Sequence, residues 1–260
     1  MTRISDRDGF KIDPGADDYL LGTFIQLPSP ELVELHGLAG FDFVVLDMEH
    51  GAYGFEELRH LIRAAELRSL VPIVRIGEVS RSLVSRVMDL GGIGVMIPQV
   101  ETAADLECVV SAAKYPPLGE RGYCSGVRAA GYLGAPGFTG FANQRTSVIP
   151  LIENLAAVEN LDSLLAVQGV DAVMIGPGDL SSAMGRPGDW NSPPVRTLLE
   201  DLVSRVLKHG LAVGMHVKEP ADAASWHQKG VRFFTYGMDA QVILKHLGTL
   251  RTAVASAIGR

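Results

Sequence analysis

The stretch VDAVMIG (170–176), continued without a break by PGDLS (177–181), decides how this chain folds. A short run of β-branched and apolar residues ends in a Pro/Gly turn and leads into the start of a helix. Apolar runs of roughly four to eight residues bounded by turn residues read as buried strands. The same pattern recurs outward in both directions, at GTFIQL (22–27), FDFVVLD (41–47), VPIVRIG (71–77), GVMIPQV (94–100), SVIPLIE (147–153), LAVGMHV (211–217) and VRFFTYG (231–237). Between these runs lie segments with helical apolar spacing. Examples are PELVELHGLAG after Ser29, FEELRHLIRAAELRSL, TAADLECVVSAAKY and VRTLLEDLVSRVLKHG. Ser29 is a suitable N-cap, with Pro30 at the first helical position. Eight strands alternating with helices predict a closed (β/α)8 barrel, an α/β TIM barrel. An open doubly wound sheet is the alternative, but no GxGxxG follows the first strand and no P-loop occurs. The expected organisation is a single domain over 1–260, with a short N-terminal extension (1–21) and a long glycine-rich loop (117–145).

Composition fits this reading. The chain has 260 residues, long enough for one barrel, and 47% of them are hydrophobic, enough for a sizeable core. The net charge of −7 gives no electrostatic reason to bind nucleic acid or an anionic membrane. Two cysteines far apart, Cys108 and Cys124, suit free thiols in a reducing compartment. The first 19 residues carry acids and no apolar stretch, unlike a signal peptide. The expected location is the cytoplasm.

In such barrels the chemistry sits at the C-terminal ends of the strands. That rule selects Asp47, Glu49 and His50 after the second run, Arg75 in the third, Pro98 and Gln99 in the fourth, and Glu153 in the fifth. It also selects Gly178 and Asp179 after the sixth and His216 in the seventh. Neighbouring strands lie about 4.8 Å apart, so Glu153 and Asp179 are placed to share one cation. Oxygen ligands suit Mg²⁺ or Mn²⁺ better than zinc. The plainer alternative is that Glu153 pairs with an arginine and Asp179 caps the following helix. Gly178 lets the backbone approach a ligand at the start of that helix, although an ordinary strand-to-helix turn would look the same. Arg75 either holds a developing enolate oxygen or forms a structural ion pair. His50, beside Asp47 and Glu49, is a candidate base. No lysine falls at an obvious strand end inside the barrel; Lys218, just past the seventh run, is the nearest.

In this order and at these strand ends, the motifs resemble the metal-dependent class II pyruvate aldolases of the HpcH/HpaI family. The matching pieces are LDMEHG (46–51), VRIG with Arg75, the 88–92 region with Asp89, PPLGERG (116–122), LIEN (151–154) and IGPGDLS (175–181). The resemblance runs from about Gly22 to the C-terminal helix and implies a pyruvate-binding barrel. It implies that Glu153 and Asp179 bind a divalent cation (Mg²⁺, Mn²⁺ or Co²⁺) chelated by a 2-oxo acid. It further implies that Gly178 and Asp179 N–H groups hold the substrate carboxylate, and that Arg75 stabilises the enolate oxygen. His50 is then the base, supported by Asp47 and Glu49, and Asp89 reaches the histidine of a neighbouring subunit. The implied assembly is a homo-oligomer, commonly a hexamer built as a trimer of dimers with exchanged C-terminal helices. The implied reaction is reversible cleavage of a 4-hydroxy-2-oxo acid to pyruvate and an aldehyde.

Three features depart from the family pattern, one being the segment AYGFEEL (52–58) after EHG, which differs from the commoner proline-containing version. The position two residues before the metal glutamate is usually glutamine and here is Leu151, which should point into the barrel beneath the cation. The loop carrying Arg121, Arg128 and Tyr132 is expected to shape a different pocket. The alternatives that keep the same site are oxaloacetate decarboxylation and a biosynthetic use of the enolate, as in macrophomate synthase. An acyl-CoA lyase would need a basic groove that this acidic chain lacks. A non-catalytic ligand-binding barrel has no need of His50.

Overall fold

The structure is a computed structural model that describes residues 9–15 and 17–259. Residues 1–8 of the expected N-terminal extension lie outside the described residues. The strands β1 (Leu20–Ile25), β2 (Phe43–Asp47), β3 (Val71–Arg75), β4 (Gly94–Ile97), β5 (Ser147–Ile152), β6 (Ala172–Ile175), β7 (Ala212–Val217) and β8 (Phe233–Met238) close in sequence order into one parallel barrel. The helices around it are α1 (Pro30–Leu38), α2 (Phe55–Leu67), α3 (Arg81–Leu90), α4 (Ala103–Ala113), α5 (Phe138–Arg145), α6 (Leu155–Glu159), α7 (Leu161–Leu165), α8 (Pro177–Ala183), α9 (Pro193–Lys208), α10 (Pro220–Gln228) and α11 (Asp239–Ile258). The (β/α)8 expectation is borne out.

Local signals act where the sequence places them. The Ser29 hydroxyl accepts the Leu32 N–H at 3.3 Å and starts α1. Thr102 and Asp105 form a reciprocal capping box at α4, with Thr102 N–H donating to Asp105 at 2.8 Å. The strands are buried on both faces, so alternate side chains feed two cores. Phe43, Val45, Ile73, Met96, Leu151, Met174 and Phe233 fill the barrel interior. Val44, Leu46, Val74, Val95, Ile152, Val173 and Ile175 meet the surrounding helices. Each fully buried side chain of this size stabilises the fold by about 1.5–3 kcal/mol. Phe10 plugs the end of the barrel away from the strand C-termini, edge-on to Phe43 and Phe233 at centroid separations of 5.1 and 5.3 Å. Gly214 makes this plug possible, because a Cβ there would lie 2.1 Å from the Phe233 ring.

The structure revises three boundaries or placements. β4 stops at Ile97 rather than 100, because Pro98 has no N–H to donate and Gln99 adopts φ 52°. The segment 117–145, expected as loop, contains α5, which is anchored by Asn143 bonding the Tyr115 backbone through both its amide oxygen (2.7 Å) and nitrogen (2.9 Å). Its Arg121, Arg128 and Tyr132 do not reach the strand C-termini. They line a separate cavity with Gly92, Ile93 and Thr146, at the N-terminal ends of β4 and β5.

α11 is unlike the other long helices. Along its length only Asp239 is buried, while Val242, Leu244, Leu247, Leu250 and Val254 are exposed. An apolar cavity of about 400 Å³ opens beside β7, β8 and α10, lined by Tyr19, Leu21, Val217, Ala223 and Phe234. Among the described residues, no helix is long and apolar enough to cross a membrane.

Candidate active site

Register brings the polar residues together. Asp47 is paired across β2 and β3 with Arg75, so carboxylate and guanidinium emerge side by side at the barrel mouth. Arg75 donates through Nε to Asp47 Oδ1 (2.9 Å) and through Nη2 to Oδ2 (2.7 Å), a bidentate fork. Its Nη1 lies 3.0 Å from Glu49 Oε2, as an ion pair whose angle is too poor for a hydrogen bond. The guanidinium also lies over the Phe24 ring, 4.8 Å from its centroid. Of its five N–H donors, two are committed to Asp47, which leaves Nη hydrogens for a substrate oxygen.

Asp47 is fully buried and holds the region together. Its oxygens also accept Gln26 Nε2 at 2.9 Å and the backbone N–H groups of Glu49 (3.1 Å) and His50 (3.2 Å). Burial pushes its pKa up, but the Arg75 hydrogen bonds and charge more than offset this and hold it below the usual range. Asp47 therefore supports His50 through the backbone and not through the ring. The His50 ring is 63% exposed, with Nε2 3.9 Å from Glu49 Oε2. Glu49 itself is shifted upward, mainly by burial.

On the opposite side of the mouth, Glu153 is 3% exposed and its Oε1 accepts both the backbone N–H and the side-chain amide of Gln99, each at 2.9 Å. Gln99 makes both bonds from a left-handed conformation that non-glycine residues rarely adopt. Burial, with the like charges of Asp179 and Glu49, pushes Glu153 up to about 7 despite the Gln99 N–H. Gly176 allows the strands to converge here, since a Cβ would lie 2.8 Å from Glu153 Cβ. Asp179 sits in the first turn of α8 and is exposed. No hydrogen bond to its carboxylate occurs among the described residues, so it does not cap α8. Leu151 points inward beneath Glu153 and is 3% exposed.

Asp89 is not brought to this mouth. It lies in the last turn of α3, at the other end of the barrel, where it accepts Arg121 Nη2 at 2.6 Å. Gln26 and Trp190, which the strand-end rule passed over, also stand at the mouth, with His216, which it selected. Gln26 follows β1, and its backbone N–H donates to Asp239 at 3.1 Å, linking β1 to the start of α11. Applying the same rule to the first strand would have found it. His216 bonds Thr235 through Nδ1 at 2.9 Å and lies edge-on to both Phe24 and Trp190. Burial, then the charges of Lys218 and Arg75, lower His216 to about 4, so its ring is neutral at pH 7. Trp190 lies in the connection from α8 to α9 and had no sequence signal.

The mouth thus joins a carboxyl raised by burial and then by its like-charged neighbours, a second carboxylate with no hydrogen bond among the described residues, and a pre-aimed guanidinium. The family model for HpcH/HpaI aldolase/citrate lyase matches residues 20–245. The chain is 36% identical to a 2-dehydro-3,6-dideoxy-6-sulfogluconate aldolase of Pseudomonas putida, covering 90% of this chain and 92% of the relative. It is 33% identical to a 2-keto-3-deoxy-L-rhamnonate aldolase of Klebsiella pneumoniae, covering 87% and 85%. It superposes on the crystal structure of an HpcH/HpaI aldolase from Desulfitobacterium hafniense with a TM-score of 0.85 and 33% identity, covering 92% and 93%.

Proposed function

Because the chain belongs to the HpcH/HpaI aldolase/citrate lyase family, and is thus a carbon–carbon lyase of the aldolase class, we propose that its barrel mouth reversibly cleaves a 4-hydroxy-2-oxo acid to pyruvate and an aldehyde. One observation carries this reading. The buried Glu153 carboxyl at the end of β5 and the Asp179 carboxylate in the first turn of α8 share the mouth with Arg75, which Asp47 holds by a bidentate fork.

The donor set fits a divalent cation of the Mg²⁺, Mn²⁺ or Co²⁺ kind: two carboxylates, both oxygen ligands, with the Glu153 carboxyl raised by burial and then by its like-charged neighbours, a penalty that a cation would offset. Among the described residues no cluster of three or more metal-ligating side chains occurs, which leaves positions open for a chelating substrate. When bound, the cation acts as a Lewis acid on the keto group of the 2-oxo acid.

The chain's own residues do the rest. Backbone N–H groups of Gly178 and Asp179 hold the substrate carboxylate at the start of α8. The free Nη hydrogens of Arg75 bond the keto oxygen more strongly as it gains enolate charge. Asp47 aims that guanidinium. His50 takes the C4 hydroxyl proton as the C3–C4 bond breaks, with Glu49 Oε2 3.9 Å from its Nε2. The aldehyde leaves, and protonation at C3 completes pyruvate. Leu151 gives the site an apolar floor in place of a polar contact.

The protein works as a homo-oligomer in the cytoplasm, a hexamer in which α11 covers the apolar groove of a neighbouring copy and Asp89 approaches that neighbour's exposed His50. The exposed apolar face of α11 and the open groove beside β8 support this arrangement. Light scattering should then give the native mass of six protomers; a monomer at assay concentration would contradict it.

The activity is tested by pyruvate release from a panel of 4-hydroxy-2-oxo acids and oxaloacetate, first with EDTA and then with each divalent cation added back. Cation-restored release from hydroxy-oxo acids is expected. Release from oxaloacetate alone would replace cleavage with decarboxylation and make Leu151 the residue to explain.

A further inference from the structure

A continuous wall runs along one side of the mouth, from the enolate-stabilising arginine to an ammonium group that has no acidic partner. Arg75 lies over Phe24, and Phe24 meets His216 edge-on at 5.8 Å. His216 meets Trp190 edge-on at 5.7 Å, and Lys218 Nζ stands 3.9 Å from the Trp190 ring centroid. Trp190 also borders the first turn of α8, since a Cβ at Gly178 would lie 3.7 Å from its Cζ2. The wall therefore runs from Arg75 to Lys218, with Trp190 between His216 and the ammonium and beside the start of α8.

Lys218 is exposed at the end of β7 but held in place. Its Nζ donates to the Gly188 carbonyl at 3.0 Å while resting on the indole, and no carboxylate pairs with it among the described residues. This sets it apart from Arg75, which two carboxylates already neutralise. The rest of the mouth is acidic, through Glu49, Glu153 and Asp179. A second anionic group on a substrate would find beside Lys218 a cation that no carboxylate pairs among the described residues.

We propose that Trp190 and Lys218 form the subsite for the far end of the aldehyde portion, with the indole flanking its carbon chain and the ammonium receiving an anionic terminal group. The substrate class is then a 4-hydroxy-2-oxo acid with a second anion at its distal carbon. A neutral wall suits this use, because the chain of the aldehyde lies against uncharged rings until it reaches the cation. The proposal rests on the aldolase reading above and names its acceptor.

The test compares kcat/KM for pairs of 4-hydroxy-2-oxo acids matched in length, ending in a carboxylate, a sulfonate or a methyl group. The wild-type protein should prefer an anionic end by about tenfold or more, the usual strength of a charge-assisted contact. The carboxylate and sulfonate arms identify which anion is taken. Lys218→Met should lower that preference about tenfold, with the loss in KM for the anionic member, while Lys218→Arg, which keeps the charge and stacks on indole, should retain most of it. Trp190→Leu should weaken the same preference by freeing the lysine. Pyruvate release with no preference for an anionic end, or an equal loss on all members in Lys218→Met, overturns the subsite and leaves the aldolase reading intact. Failure of the wild-type protein to cleave any member overturns both.

Discussion

Glu153→Gln should make the EDTA-stripped protein more stable at pH 8 while removing its activity. In the folded chain Glu153 is buried, and Asp179 and Glu49 are its like-charged neighbours, which together raise it to about 7. A carboxyl raised in the folded state favours folding while protonated. That contribution is fully present below its ordinary pKa of 4.5 and is lost as the pH rises through about 7. At pH 8 the protein folds against an ionised buried carboxylate, at a cost of about 3 kcal/mol. The amide in the variant removes the charge and still accepts both Gln99 N–H groups. Its melting temperature in EDTA should therefore exceed that of the wild-type protein at pH 8 and converge with it near pH 5. Adding Mg²⁺ or Mn²⁺ should raise the wild-type transition and leave the variant unmoved, because a ligand stabilises only the state that binds it. Activity should fall about a thousandfold or more with the loss of the cation's contribution. A variant that melts no higher than wild type at pH 8 would contradict this electrostatic account.

Asp47→Ala should produce the opposite pairing, with stability and activity lost together. The substitution leaves Arg75, a residue only 8% exposed, without its bidentate partner, and also removes the acceptor of Gln26 and of two backbone N–H groups. Breaking a buried pair from one side costs about 3–5 kcal/mol, because the remaining charge stays desolvated. Urea denaturation should show a lower midpoint of that size. Activity should collapse as well, since the arginine is no longer aimed at the keto oxygen. The double variant Asp47→Ala/Arg75→Met removes the orphaned charge, so it should regain much of the stability and none of the activity. If the double variant were as unstable as the single one, Asp47 would act through packing and not through Arg75.

The barrel was legible because parallel strands buried on both faces read as uninterrupted apolar runs, and all eight runs are strands. Their ends were less legible. Pro98 and the left-handed Gln99 stop β4 early, although both lie within an apolar stretch. α5 was hidden because FTGFANQR has no apolar stripe and is held instead by a buried Asn143 clasping the Tyr115 backbone. In the site, the strand-end rule found Asp47, Arg75, Glu153 and Asp179, since each is fixed by its place along one strand or turn. It did not find Phe24, Gln26 or Trp190. Their roles depend on which strands become neighbours when the barrel closes β1 against β8, and on a connection folding back over β7. His50 was found, but its link to Asp47 runs through the backbone, a distinction that only the turn geometry reveals.

The most direct test of the central claim is exchange of the pyruvate methyl protons for deuterium in D₂O, followed by proton NMR, in the wild-type protein and in Glu153→Gln. Exchange needs only enolisation, so it reads the cation, Arg75 and the carboxylate cradle without any aldehyde. The account predicts loss of the methyl signal with the wild-type protein and a divalent cation, none after EDTA, and none with the variant under either condition. Exchange that persists in EDTA, or that Glu153→Gln leaves unchanged, would contradict it.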